Sequence, residues 1–483
     1  MKDLAKGFLY LFLLLVAVLL VRTFFFSSRQ QQFPEVEKIA VSDVAVLNLS
    51  AAVQFKTISY ETDSLRDTLA FNVFHEFLYV RYPLLFSVLA RENISSQSIL
   101  LRWDGSDASL KPVIFLSHQD VVPATNEGGK WSHDPFSGDT DGQFIHGRGT
   151  IDDKCGVLGW LEAVEYLLSK NFKPKRTIYF AFGHDEEAKG TGAQGMARYL
   201  RKKNIEAEYI LDEGGSITDG IIKEVKPNVA IIGIAEKGRA IIDLAVDVEG
   251  GHSSMPPKQT AIGILSEAIA KLEAHPFDAR FDGGTKALFD YIAPEMNFGS
   301  KLVFANSWIF SPIIKKILSG KNSTNAAIRT TTAATIFSGG EKENVLPHHA
   351  TATVDFRILP GETADDVLNH VNGVIKDERV KAKLRDGFNN PSAVSDINAS
   401  GFKMISKSIK EIFPDVIVAP YLVLGVTDAR HYQEVSKNIY RFIPLVLKDE
   451  DLKRIHGLNE RIGKENYKDV IRFYVRLIEN STL

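Results

Sequence analysis

The stretch VIFLSHQDVV, residues 113–122, carries an apolar run straight into a histidine, a glutamine and an aspartate. A short continuous apolar run closed by polar residues is the pattern of a strand buried on both faces, as in a parallel sheet. Ending such a strand on His118 and Asp120 costs free energy unless something binds them. Residues two apart on a strand face the same way, so the two side chains can share one site. A capped strand end with a satisfied histidine reads equally well from these residues alone.

The pattern repeats on both sides of a helix. RTIYFAFG (176–183) and AEYILDEGG (207–215) are further apolar runs ending in acids and glycine, and GVLGWLEAVEYLLSK (156–170) has helical apolar spacing. Alternating strands and helices predict an α/β fold with a mostly parallel sheet. Ligands in such sheets bind beyond the carboxyl ends of the strands. His118, Asp120, Glu186, Glu187, Asp212 and Glu213 all fall on that rim.

From about Lys237 the pattern becomes apolar–polar alternation, in GRAIIDLAVDVEGG and HATATVDFRILPG, with the helix TAIGILSEAIAKLEAH between. This predicts an α+β insertion over 237–360. Residues 276–335, aromatic and then Ser/Thr-rich, show no clear period. After Gly361 helices are expected near 362–376, 401–413 and 465–480, returning the chain to a main domain built from 45–236 and 361–483.

The net charge of −3 over 483 residues, 45% of them apolar, gives no basic track for nucleic acid. The N-terminus differs from the rest. Lys2 and Lys6 precede an apolar run to Val21, followed by Arg22 and three phenylalanines. As a helix, the run through Phe26 covers about 30 Å, the thickness of a bilayer core. LVRTFFFSSRQ offers a poor cleavage site, so residues 1–28 read as an uncleaved signal anchor with the body outside the cytoplasm, the alternative being secretion after cleavage. Residues 29–44 are the linker. One cysteine, Cys155, allows no intrachain disulfide. N-x-S/T sequons at Asn48, Asn93, Asn322, Asn398 and Asn480 permit glycosylation.

HGRGTIDDKCG (146–156) sets Asp152 and Asp153 in a glycine-flanked turn before a helix, where adjacent carboxylates repel unless a cation is near. An ordinary N-cap explains the pair as well. In FGHDEEAKGTGAQG (182–195), Glu186 and Glu187 can divide labour, one binding metal and one moving a proton. A solvated acidic loop is the plainer reading. DLKRIHGLNERI (451–462) adds His456, which by itself suits a surface histidine. Together these make a mixed nitrogen and oxygen set suited to zinc, with too many ligands for one catalytic ion that keeps an open position. They suit two ions sharing a carboxylate.

SHQDVVP, GRGTIDDK, GHDEEAKGTGA, LDEGG, GHSSMPP, VDFRILPG, TDARHY and RIHGLNE together resemble the dinuclear zinc aminoacylase/carboxypeptidase family, over roughly residues 45–480. The match is to the carboxypeptidase S and N-fatty-acyl-amino-acid hydrolase branch. The resemblance implies a zinc-peptidase-like catalytic domain, an inserted lid or dimerisation domain, and two zinc ions. Asp152 would bridge them, with His118 and Glu213 on one ion and Glu187 and His456 on the other. Asp120 would orient His118, Glu186 would be the general base, and Asp153, Asp212 and His184 would be neighbours. His252 would donate to the oxyanion, from a homodimer partner or by domain closure, while Arg357 and Asn344 would hold a substrate carboxylate. Asp428, Arg430 and His431 would lie near the site. The implied activity is hydrolysis of an amide beside an amino acid with a free carboxylate, in short peptides or in N-acyl amino acids. Cys155 departs from the family pattern and is expected to be a packing residue.

Overall fold

The computed structural model describes residues 2–34, 36–126 and 128–482. The opening stretch forms the strand Val113–His118, buried at every position. It lies in a ten-stranded mixed sheet, parallel to Ile178–Gly183 on one side and to Tyr209–Asp212 on the other. A hairpin, Ala90–Ile94 and Ser98–Trp103, adds antiparallel strands beyond Ile178–Gly183. On the other side Ile439–Arg441 runs parallel to Tyr209–Asp212 and leads to Val229–Glu236, which pairs in parallel with Ile417–Val423.

Alternation decides which layer each side chain enters. Val113 and Phe115 join the core under the helices Lys154–Ser169 and Lys464–Ser481, while Ile114 and Leu116 join a second core beneath Thr191–Lys202. Trp160 is the centre of the first layer. Its ring stacks on Phe115 at 4.2 Å and on Tyr474 at 3.6 Å between centroids. Cys155 is buried in this layer, and burial pushes its thiol up, as suits a packing residue.

A separate antiparallel sheet takes the order Thr331–Gly339, His349–Ile358, Gly238–Asp247, Val380–Leu384, with Ala261–Ala274 and Ala364–Ile375 against one face. The expected insertion ended at 360, but this layer runs on to Leu384. Val380–Leu384 pairs with Ile242–Val246, and Val367, Val371 and Ile375 fill the same core. An amphipathic helix shows its apolar face in the sequence but not which sheet covers it.

The stretch without a period, 276–335, is largely helical: Gly283–Ile292, Phe298–Ala305, Ser307–Leu318 and Asn322–Ala326. The N-terminal helix spans Lys2–Phe25 and, among the described residues, is the one helix long and apolar enough to cross a membrane. Two sequons lie inside the fold. Asn48 is buried with its amide 2.7 Å from Glu162 Oε1, and Asn480 is buried against Glu411, so neither can carry a glycan in this structure.

Candidate active site

The rim beyond the parallel strands gathers the histidines and acids. His118 ends its strand and Asp152 stands in the turn before Lys154–Ser169. His118 Nε2 lies 2.9 Å from Asp152 Oδ1. The other oxygen, Oδ2, lies 3.1 Å from His456 Nε2, which is also 2.9 Å from Glu187 Oε1. His118 and His456 are thus joined through the two oxygens of one carboxylate. Donor atoms of His118, Asp152 and Glu187 all fall within 4.8 Å of one another.

Asp120 is fully buried and fastens two segments at once. His118 Nδ1 is 3.0 Å from its carbonyl and 3.3 Å from its Oδ1. The backbone N–H groups of Glu186 and Glu187 donate to its carboxylate at 3.1 Å each, and Ser59 Oγ donates at 2.5 Å. The same side chain therefore sets the ring plane of His118 and the start of the Glu186–Glu187 segment. The rest of that loop is wound on Asp185, which accepts from Thr191 N, Thr191 Oγ1 and Gly192 N. Gly190 turns the chain with φ +66°, a conformation side chains rarely adopt, and a Cβ there would strike Arg430 and His431.

The neighbours are fastened elsewhere. Asp212 accepts from Glu213 N and Ala429 N, Asp153 accepts from His118 N at 3.3 Å, and His184 Nδ1 meets Ser98 Oγ at 2.7 Å. Burial pushes the Asp153 carboxyl up to about 7. Burial drives the Glu213 carboxyl well above the usual range, and repulsion from Asp152, Asp212 and Asp153 adds to it. Burial does the same to Glu186, reinforced by Asp428, Glu187 and Glu213, with Arg430 Nη1 3.9 Å away. Asp152 moves the other way, because His118 and His456 outweigh its burial.

Buried carboxylates in this density are destabilising unless cations balance them. Nitrogen and carboxylate donors without a thiolate suit zinc, so the donor set fits the expected ions.

The insertion residues make their described contacts within the insertion. His252 is exposed, with Nδ1 2.8 Å from Ser254 Oγ, on the short strand Gly251–His252 paired with Val345–Leu346 next to Asn344. Arg357 lies on His349–Ile358, half-exposed, 3.6 Å from Asp355. Neither side chain has a contact with His118, Asp152, Glu187 or His456 among the described interactions.

A residue with little local signal in the sequence, Glu460, stabilises the whole turn. Glu460 is fully buried, and its Oε1 accepts from Gly149 N at 2.9 Å, Ile151 N at 2.8 Å and Asp152 N at 3.3 Å, while Arg148 Nη1 donates to Oε2 at 2.6 Å. Its only signal was its place four residues after His456, inside RIHGLNE.

The model of Peptidase family M20/M25/M40 matches residues 114–480, a span that includes every member of this cluster. The chain belongs to peptidase family M20/M25/M40. As a member of that family it is a hydrolase, and its relatives fall in the branch that the motifs resembled. It is 42% identical over 482 residues to the probable carboxypeptidase S-like 2 of Dictyostelium discoideum, covering 97% of this chain and 92% of the relative. It is 40% identical over 492 residues to the N-fatty-acyl-amino acid synthase/hydrolase PM20D1 of Xenopus tropicalis, covering 99% and 95%. In fold it is similar to an M20 family metallo-carboxypeptidase from Sulfolobus solfataricus, with TM-score 0.65 and 19% identity over 91% of this chain and 99% of the other.

Proposed function

We propose that this M20/M25/M40 hydrolase is a membrane-anchored dinuclear zinc enzyme that cleaves the amide beside an amino acid with a free carboxylate. The observation that carries the reading is the divided carboxylate of Asp152, one oxygen toward His118 and the other toward His456 and Glu187. A bridge between two cations needs that division. His118 and Glu213 would hold one ion, Glu187 and His456 the other. Bound zinc supplies Lewis acidity, acidifying a water and polarising the scissile carbonyl.

The chain's own residues do the rest. Glu186 takes a proton from the attacking water and returns it to the leaving nitrogen, a role that suits a carboxylate whose proton affinity is raised by its surroundings. Asp120 holds the His118 ring with Nε2 facing the cluster. His252 donates to the developing oxyanion, and Arg357 and Asn344 hold the substrate's carboxylate. None of the three has a described contact with the residues at the rim, so the proposal includes closure of the small domain, or a homodimer partner that supplies His252.

Short peptides of the Gly-Xaa type are the first substrate class, in keeping with the carboxypeptidase S-like relative. N-fatty-acyl amino acids are the second, favoured by the N-fatty-acyl-amino acid relative and by the apolar N-terminal helix. Comparing hydrolysis of Gly-Leu with that of an N-oleoyl amino acid by the zinc-loaded full chain, beside its Glu186→Gln variant, tests both. Turnover of neither substrate, or unchanged turnover by the variant, would sink the proposal.

A further inference from the structure

The N-terminal helix does not project freely from the body. Its covered side is Leu15, Val16, Leu19 and Thr23, spaced as one helix face, and Phe298–Ala305 packs against it. Asn306, buried between Phe298–Ala305 and Ser307–Leu318, donates to Leu19 O at 3.1 Å and to Thr23 Oγ1 at 3.2 Å. From Leu15 to Thr23 the helix rises about 12 Å. A helix that crosses a bilayer while held along that length must bring its packing partner down to the depth of the hydrocarbon.

The helix that follows this partner after Asn306 is built for that depth. Ser307–Leu318 buries Ile314 and Leu318, yet its opposite side exposes Trp308 (57%), Ile309, Ile313 and Ile317 (65%). A helix apolar on both sides is not one that faces water. Lys315 and Lys316 stand at its end, with stems long enough to reach a phosphate layer.

The linker holds this geometry. Gln30 Nε2 donates to Val418 O at 3.0 Å while Val418 N donates to Gln30 Oε1 at 2.8 Å, so the side-chain amide closes the free edge of Ile417–Val423. Arg472 Nε donates to Ile39 O at 3.1 Å. A linker tied at both points cannot let the body swing away from the membrane.

We infer that the exposed side of Ser307–Leu318 is a membrane seat, inserted among the acyl chains of the leaflet beside the anchor helix. The inference rests on the anchoring proposed above. Its ligand is phospholipid, recognised by an apolar stripe with lysines at one end, and it fixes the orientation of the catalytic body relative to the bilayer.

The chain contains its own probe. Of four tryptophans, Trp103, Trp131 and Trp160 are buried and only Trp308 is exposed. The full chain is reconstituted into phosphatidylcholine vesicles with and without bromine on the acyl chains, floated, and compared with Trp308→Phe. Bromine should remove most of the Trp308 emission, and the effect should vanish in the variant. The double variant Ile313→Asp, Ile317→Asp should float, hydrolyse Gly-Leu as before, and shift Trp308 emission to the red with loss of quenching. Flotation without Trp308-dependent quenching overturns the seat and leaves the anchor intact. A blue-shifted but unquenched Trp308 means the face is covered by protein, which also overturns it. Failure to float removes the anchor and the seat together.

Discussion

Glu186 and Glu187 are chemically identical neighbours, and what separates them is which partner each meets. Glu187 has His456 at 2.9 Å, while Glu186 faces Arg430 at 3.9 Å and is surrounded by like charge. Glu186→Gln should lower kcat by about 10²–10⁴-fold, with metal content unchanged by elemental analysis. Glu460 should behave differently, as a positioning residue. Its removal in Glu460→Ala leaves three N–H groups without their acceptor and Arg148 as a buried unpaired charge, so the loss should be about 3–5 kcal/mol, read by denaturant unfolding. His456 gives a pH signature. Hydrogen bonds to Asp152 and Glu187 push its imidazole up to about 10 in the metal-free chain. It therefore holds a proton at neutral pH that a cation must expel, so metal affinity should rise with pH and binding should release protons. Calorimetry in two buffers of different ionisation enthalpy measures that release. For the metal-free fold the sign is opposite. With the folded pKa above the unfolded 6.5, the stabilisation is complete below pH 6.5 and disappears as pH rises through about 10.

At the scale of elements, the strand Val113–His118 and the helix Lys154–Ser169 meet through Trp160, held between Phe115 and Tyr474. This stack fixes the helix that begins directly after the turn carrying Asp152. Trp160→Ala should cost about 3–5 kcal/mol and weaken metal binding as well, measured by thermal unfolding with and without zinc. These elements were legible because buried parallel strands write themselves as apolar runs, and the expected helices near 401–413 and 465–480 are Ser400–Ile412 and Lys464–Ser481. The end of the insertion was not legible. Ala364–Ile375 and Val380–Leu384 are ordinary amphipathic segments, and only their pairing with Gly238–Asp247 assigns them to the small sheet. The helices between 276 and 335 escaped for a related reason. Ser307–Leu318 carries Pro312 in its interior and follows Phe298–Ala305 after the single residue Asn306, so local pattern marks neither its start nor its continuity and only the packed chain separates the two helices.

For the whole molecule, the proposed anchor predicts that the full chain stays with membranes through alkaline carbonate washing and is released by detergent. A protein found in the carbonate supernatant would contradict it. The insertion residues also belong to this scale. Arg357 sits on a sheet with its own core, joined to the main sheet through Val229–Glu236 and Gly238–Asp247, which are adjacent in the chain, whereas His252 sits on the separate strand pair Gly251–His252 and Val345–Leu346.

The residues that the structure gathers at the rim stood out in the chain as acids and histidines at the ends of apolar strands, costly to place there unless something binds them, and the family resemblance supplied the roles expected of them. Composition and run length likewise identified the α/β layers and the apolar N-terminal helix. Only the tertiary structure decided that Asp152 turns one oxygen to His118 and the other to His456, that Glu460 holds the turn between them, and that the N-terminal helix lies along Phe298–Ala305. Those are contacts between segments far apart in sequence. Local pattern records how each segment is buried, whereas its partner is chosen by the packing of the whole chain.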